Sequence, residues 1–350
     1  DSTRNLLVDG DANPDTDTNP ELKSRDNEGS LVVGDFSPTN SPSNSPPEVV
    51  VFTGGVKYEY ITKPPARDVF TPGTEGRWPT FETMTKLKVA DVDGDKLNDL
   101  VATFVDGTTK IYLNPGGTTP NDFSAVTPIV IKAPEYPGST TPITTDVVVA
   151  DVNNDGTPDI VTVNDGGENV LYLGDSSDPA KFATNPGTIL GKDPAVNLQE
   201  PGPMLSQSVE VADVDGDGDL DIIVGNLGAP NVVYFQINTP NPQHSLFPTA
   251  TPIGNTAFDA TSPTTKVVVA DLDKDGEMDL VVANRDEENQ IFLAKDAPGG
   301  VLDATSLPKA PSENLALPYY NWPKGVLGAE WQKNKLTTED IAVADLNGDG

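Results

Sequence analysis

The chain contains no cysteine. Disulfide scaffolds, thiolate zinc sites and cysteine nucleophiles are therefore excluded. Histidine is nearly as scarce. His244, in Asn-Pro-Gln-His-Ser, is the single one, so no imidazole-rich metal site can be built, and its setting reads as an exposed loop. Basic residues are outnumbered, with 22 Lys and Arg against 54 Asp and Glu and a net charge of −32. Such a surface repels phosphate backbones and anionic lipid, so nucleic acid is not an expected partner. No apolar run approaches the roughly 18 residues needed to cross a membrane, so no transmembrane segment is expected. Nor does any stretch of ten or more residues show a capped 3.6-residue period, and helices should be scarce. Neither Gly-x-Ser-x-Gly nor a phosphate-cradling glycine loop with lysine occurs.

What the chain has instead is punctuation and repetition. Gly 31 and Pro 33 are frequent enough to bound many short strands. Length alone, at roughly 150 residues per domain, would suggest two domains, but an internal repeat overrides that prior. The phrase Val-Ala-Asp-x-(Asp/Asn)-x-Asp opens at Asp91, Asp151, Asp213, Asp271 and Asp345, with spacings of 60, 62, 58 and 74 residues. A weaker copy opens at Asp35. Each copy follows a β-branched run (Val147–Ala150, Val209–Ala212, Val267–Ala270, Ile341–Ala344) and precedes a second one (Leu100–Phe104, Ile160–Val163, Ile222–Val224, Leu280–Ala283). A polar turn comes next, as in Asp106-Gly107, Asp165-Gly166-Gly167, Gly228-Ala229-Pro230 or Asp286-Glu287-Glu288. Then comes a third, aromatic-bearing run (Lys110–Leu113, Val170–Leu173, Val232–Phe235, Gln290–Leu293) and a looser fourth (Ala125–Ile131, Thr249–Ile253).

Short runs of Val, Ile, Tyr and Phe between Gly, Asp, Asn and Pro read as strands. Four strands in each unit of about 60 residues, in tandem, predict an all-β chain folded as a β-propeller of four-stranded blades. The continuous apolar runs of strands one and two suit strands covered on both faces by neighbouring blades. Residues 30–350 would form blades opening near 30, 86, 146, 208, 266 and 340. Residues 1–29 would be the end of a preceding blade and its connection, since Arg4–Asp11 resembles a third strand. The chain starts at Asp1 without an initiator Met and stops inside Asp345-Leu346-Asn347-Gly348-Asp349-Gly350, so a fragment or processed piece is expected. Six and seven blades both remain open.

The loop after strand one is built to hold a hard cation. In Asp213-Val214-Asp215-Gly216-Asp217-Gly218-Asp219-Leu220-Asp221, carboxylates stand at positions 1, 3, 5 and 9 around a glycine at position 6. The sister sets are Asp91, Asp93, Asp95 and Asp99; Asp151, Asn153, Asp155 and Asp159; and Asp271, Asp273, Asp275 and Asp279. Position 7 (Leu97, Thr157, Asp219 and Glu277) would offer a backbone carbonyl. Oxygen donors of this kind suit Ca²⁺, whose six to eight ligands tolerate flexible geometry. Like charges 4–5 Å apart repel by roughly 3–4 kcal/mol per pair at an effective dielectric near 20, a conflict that a divalent cation removes. An EF-hand is excluded, because position 12 is Ala102, Thr162, Val224 or Val282 and strands flank the loop.

The segment Val-Ala-Asp-Val-Asp-Gly-Asp-Gly-Asp-Leu-Asp-Ile-Ile-Val (211–224) resembles the FG-GAP, or VCBS-type, repeat of integrin α-subunit propellers and many secreted proteins. The resemblance covers about residues 30–350. It implies a calcium-binding propeller, usually extracellular and usually an interaction module, with the loop residues above as ligands. Two departures stand out: Lys96 replaces glycine at position 6 of the first full loop, and the Asp35 copy has Ser37 at position 3 and an insertion before Glu48. The Asp35 copy is therefore not expected to bind metal. Asp345, Asn347 and Asp349 form half a site, making about four complete Ca²⁺ sites and one truncated one.

In a four-strand meander the 1–2 and 3–4 loops leave one face, and the 2–3 and 4–1 loops leave the other. The face opposite the acidic loops would then carry Asp106, Asp165, Arg285 and Asp286, together with the aromatic connections holding Trp78, Tyr319, Tyr320, Trp322 and Trp331. Exposed Trp and Tyr are typical binding hot spots and also suit sugar faces; the same rings could equally fill space between blades. The expected function is an extracellular binding or adhesion module for protein or polysaccharide, with structural calcium and no enzymatic activity. The alternative is a carbohydrate-active enzyme, a polysaccharide lyase or glycosidase, with its site on the face opposite the acidic loops.

Overall fold

The computed structural model describes residues 83–116, 123–134, 142–175, 177–184, 187–190, 204–237, 246–253, 263–285 and 287–297. It also describes the backbone of strands at 30–34, 48–53, 56–62, 70–72 and 313–315, and single positions 302, 311, 338, 341 and 343. Among the described residues there is no α-helix, only 3-10 turns of three to five residues. The strands fall into five antiparallel four-stranded meanders. The first is β1 (Ser30–Gly34), β2 (Glu48–Thr53), β3 (Val56–Thr62) and β4 (Phe70–Pro72). The second is β5 (Met84–Ala90), β6 (Asp99–Phe104), β7 (Thr108–Tyr112) and β8 (Ile129–Lys132). The third is β9 (Ile143–Ala150), β10 (Asp159–Gly167), β11 (Val170–Tyr172) and β12 (Thr188–Ile189). The fourth is β13 (Met204–Ala212), β14 (Asp221–Asn226), β15 (Val232–Tyr234) and β16 (Ala250–Pro252). The fifth is β17 (Thr264–Ala270), β18 (Asp279–Asn284), β19 (Asn289–Phe292) and β20 (Glu313–Leu315).

The first strands of successive meanders contact one another, β1 with β5, β5 with β9, β9 with β13 and β13 with β17. Second strands are buried along their whole length in β6, β14 and β18, as their uninterrupted apolar runs require. The core lies between meanders: Val101 and Ile111 pack with Val147, Ile160 and Tyr172, and Ile223 and Val233 with Val267, Leu280 and Phe292. First strands behave differently from the expectation of full coverage. They are half-buried and begin earlier than their apolar runs, at Met84, Ile143, Met204 and Thr264. Asp165-Gly166-Gly167, expected as a turn, lies inside β10, which runs on to pair with β13 at Asp165↔Leu205 and Gly167↔Met204.

The early part of each first strand is polar because it serves a buried hydrogen-bond ladder that links meanders. Thr144, Ser206 and Thr264 each donate a hydroxyl hydrogen bond to an Asn in the second strand of their own meander, Asn164, Asn226 and Asn284. The backbone N–H of each of those Asn residues donates to an Asn five residues on, Asn169, Asn231 and Asn289. Asn169 and Asn231 then donate their amides to the hydroxyls of the next meander, Ser206 at 3.0 Å and Thr264 at 3.0 Å. All of these side chains are buried, so their burial is tolerable only because the network is satisfied. A β-bulge falls just after the ladder position, which Met84 occupies in the second meander, and the bulged Thr85, Thr145 and Thr265 donate to the backbone carbonyls of Thr144, Ser206 and Thr338 respectively. Lys266 reaches Asp146 (3.5 Å) and Glu210 (3.7 Å), adding charge pairing between the third, fourth and fifth meanders.

Candidate metal centres

Each acidic loop is an eight-residue hairpin connection closed by the same pair: Ala90↔Asp99, Ala150↔Asp159, Ala212↔Asp221 and Ala270↔Asp279. The invariant register follows from the chemistry of position 9. That carboxylate is buried in all four loops. One of its oxygens accepts the N–H of position 2, from Val92 (2.7 Å), Val152 (3.0 Å), Val214 (3.1 Å) and Leu272 (2.8 Å). The other accepts the N–H of the residue just after the third strand: Asn114, Gly174, Gln236 and Ala294, at 2.7–2.9 Å. Position 9 therefore ties the start of the loop to the end of the third strand, while the buried Val92, Val152 and Val214 side chains at position 2 anchor the loop in the core.

The remaining carboxylates shape the loop through their own backbone. Asp93, Asn153 and Asp215 at position 3 accept the N–H of position 5, and Asp95, Asp155, Asp217 and Asp275 at position 5 accept that of position 7. These are successive Asx-type turns, the local structure that Asp and Asn favour. Position 1 accepts the N–H of position 6 in every loop. That wrapping requires left-handed backbone at both positions 4 and 6: Gly94 and Lys96, Asn154 and Gly156, Gly216 and Gly218, Lys274 and Gly276 all have φ between 58° and 97°. Lys96 therefore takes the same conformation as the glycines it replaces, at φ 71°, and keeps the hydrogen bond to Asp91 (2.9 Å).

Three of the loops bring positions 1, 3 and 9 together, with oxygens of Asp91, Asp93 and Asp99, of Asp213, Asp215 and Asp221, and of Asp271, Asp273 and Asp279 all within 4.8 Å of one another. The position-5 carboxylates lie outside these triads and border them. In the Asp151 loop, Asn153 supplies an amide at position 3, and its Nδ2 donates to Asp155 (3.0 Å). At position 7, Leu97, Thr157, Asp219 and Glu277 are fixed by their N–H on position 5, and the Asp219 carboxylate accepts from Asn154 of the preceding loop (2.8 Å).

The crowding has an electrostatic signature. Burial, helped by the neighbouring carboxylates, pushes Asp99 and Asp221 up to about 7 and Asp159 up to about 6. Burial and then the adjacent acids also raise Asp93 and Asp215. Asp273 goes the other way, held down by the hydrogen bond from Lys295. Hard oxygen donors converging within 4.8 Å fit a Ca²⁺ ion. One observation besides the carboxylate count supports the fit: Asp271 Oδ1 is a buried oxygen with no hydrogen-bond partner.

A family model for the FG-GAP-like repeat matches residues 91–162, 151–224 and 213–282, together more than half of the 350 residues. The chain belongs to the FG-GAP-like repeat family. Each matched FG-GAP-like unit starts at position 1 of one acidic loop and ends in the second strand of the next meander. No curated protein matches the chain. Among solved structures, the Vibrio cholerae (V. cholerae) biofilm matrix protein Bap1 is similar at 15% identity and a TM-score of 0.40, over 75% of this chain and 37% of that one. A structure of BBS1N in complex with ARL6DN is similar at 16% identity and a TM-score of 0.35, over 62% of this chain and 56% of that one. The chain thus matches little more than a third of the first protein's length and just over half of the second's.

The other expected site residues divide simply. Arg285 is exposed at the end of β18, where its N–H donates to the Pro263 carbonyl (2.8 Å). Asp106 is exposed and caps its own turn by accepting from Thr108. Trp78, Tyr319, Tyr320, Trp322, Trp331, Asp286, His244, the Asp35 copy and the Asp345, Asn347 and Asp349 half-site lie outside the described residues. Sequence reasoning missed the left-handed position 4 and the Asn ladder. The signal for the ladder was present as Asn-x4-Asn at 164/169, 226/231 and 284/289.

Proposed function

We propose that the repeat array is a calcium-stabilised β-propeller whose acidic loops each take one Ca²⁺ ion, and that it serves outside the cell as a binding or adhesion module for protein or polysaccharide. The observation that carries the calcium reading is the triad of carboxylates within 4.8 Å, recurring on the same backbone scaffold in three loops. Positions 1, 3, 5 and 9, with the position-7 carbonyl, are the proposed ligands; Asn153 replaces one charge in the Asp151 loop. The ion's chemical contribution is electrostatic: it neutralises carboxylates that otherwise repel. The blade-like meanders with contacting first strands support closure about a common axis, and a further blade is read as opening near residue 340.

Calcium here is a folding ligand. With site affinities of about 10⁻⁴ M, millimolar calcium stabilises by about 1.4 kcal/mol per site. Several such sites together supply an amount comparable with the net stability of a domain. The test is a thermal melt in calcium and in EDTA, with Asp213→Ala and Asp271→Ala alongside. A large calcium-dependent shift, reduced in both variants, is the expected result; equal melting in calcium and EDTA would refute it. A screen of acidic and neutral polysaccharides for new reducing ends or unsaturated products checks the non-enzymatic reading, which robust turnover would overturn.

A further inference from the structure

The four acidic loops share one scaffold, but among the described residues only one has a lysine ammonium paired with a carboxylate of its triad. The hydrogen bond to position 9 fixes the N–H donor in every repeat, and the residue that follows that donor is Pro115, Asp175, Ile237 or Lys295. In the Asp271 loop the donor is Ala294, whose N–H is 2.8 Å from Asp279 Oδ1. Lys295 follows within the 3-10 turn Ala294–Asp296 and sets its ammonium 2.6 Å from Asp273 Oδ2. Asp273 is itself a member of the triad with Asp271 and Asp279. The other three loops have no lysine at this place. In the Asp151 loop the equivalent Asp175 carries the opposite charge and is occupied by Lys181.

We propose that Lys295 is a tethered counter-cation of the Asp271 loop, so that this loop binds calcium more weakly than the Asp91 and Asp213 loops, which share its carboxylate triad, and depends on calcium less than they do for its shape. This rests on the calcium reading above. A full unit of positive charge held on one ligand must move aside before a divalent ion can use that oxygen, and it repels the ion from its displaced position. The three triad loops are then graded: the Asp91 and Asp213 loops load before the Asp271 loop.

Hydrogen exchange of the full chain, followed by mass spectrometry across a calcium titration, reads each loop separately. In the wild type, protection of peptides covering 271–279 should need about tenfold more calcium than protection of those covering 91–99 and 213–221. Lys295→Gln should bring the 271–279 midpoint into line with the other loops and, in EDTA, should make that loop exchange faster. Lys274→Gln removes the same charge from the rim of the same loop but, among the described residues, no ion pair, and should shift the midpoint by less than about threefold. An unchanged 271–279 midpoint in Lys295→Gln overturns the proposal, as does an equal shift in Lys274→Gln. If calcium protects none of the four loops, the calcium reading itself fails and this inference falls with it; that result is distinguishable because it extends to the three loops without a lysine.

Discussion

Titrating the protein without calcium should reveal an inverted pH dependence. Asp99, Asp159 and Asp221 are buried, and their carboxyl groups are pushed from 3.8 to about 7, 6 and 7. The unfolded chain titrates near the ordinary value, so between about pH 4 and pH 7 the folded state holds more protons than the unfolded state. Stability from these groups is therefore fully present at the acid end and is lost as pH rises toward 7. At about 1.4 kcal/mol per unit, a two- to three-unit rise is worth about 3–4 kcal/mol; the loops are open to water on one side, so about half, or about 2 kcal/mol per carboxylate, is the reasonable figure. Calcium reverses the dependence, because the ion binds the ionised form. Melts in EDTA at pH 5, 6 and 7 should fall steadily, whereas melts in millimolar calcium should hold or rise. Calcium binding near pH 6 should release protons, measurable by calorimetry in buffers of different ionisation enthalpy. Repeating the EDTA series in high salt separates the long-range repulsion of a chain at −32, which salt screens, from the local burial, which it does not. An EDTA melting temperature that rises between pH 5 and 7 would refute the reasoning.

Three substitutions test the scaffold independently of calcium. Lys96→Gly relieves a non-glycine residue held at φ 71° and should stabilise by about 0.5–1 kcal/mol in a denaturant melt. Asn231→Ala strands the Asn226 N–H and removes the amide donor to the Thr264 hydroxyl in a buried seam, and should destabilise by about 2–3 kcal/mol. Gly225→Ala places a methyl 2.8 Å from Thr264 Cγ2 and 3.0 Å from Val267 Cγ1; the overpacking should lower stability by about 1–3 kcal/mol, and a neutral result would show that β14 and β17 can separate freely.

The repeat, the strand content and the acidic loops were legible because each leaves a periodic trace: Val-Ala-Asp before the loop, a β-branched run after it, and acids at odd positions. Position 6 was read through its glycines. Position 4 was not, because Gly94, Asn154, Gly216 and Lys274 share a conformation and not a residue type. The first strands were read too short for a similar reason. Their early residues, such as Thr144, Ser206 and Thr264, are polar and break the apolar alternation, yet they are buried because partners from two meanders satisfy them. Burial of that kind depends on contacts across about 60 residues of chain, which no local pattern expresses.

The polar ladder also makes the array uneven in its mechanical compliance. It runs from Thr144 through Asn289, but at the corresponding places in the second meander stand Met84 and Phe104, paired in the same register without an amide or a hydroxyl. Across that joint the Thr85 hydroxyl donates to the Thr144 carbonyl, and Val92, Val101 and Ile111 pack against Val147 and Ile160. Apolar surfaces slide and peel gradually, whereas buried amide pairs resist shear until they break together. A pull applied along the chain would therefore open the seam between the second and third meanders before those that join the third, fourth and fifth, which would part as a unit.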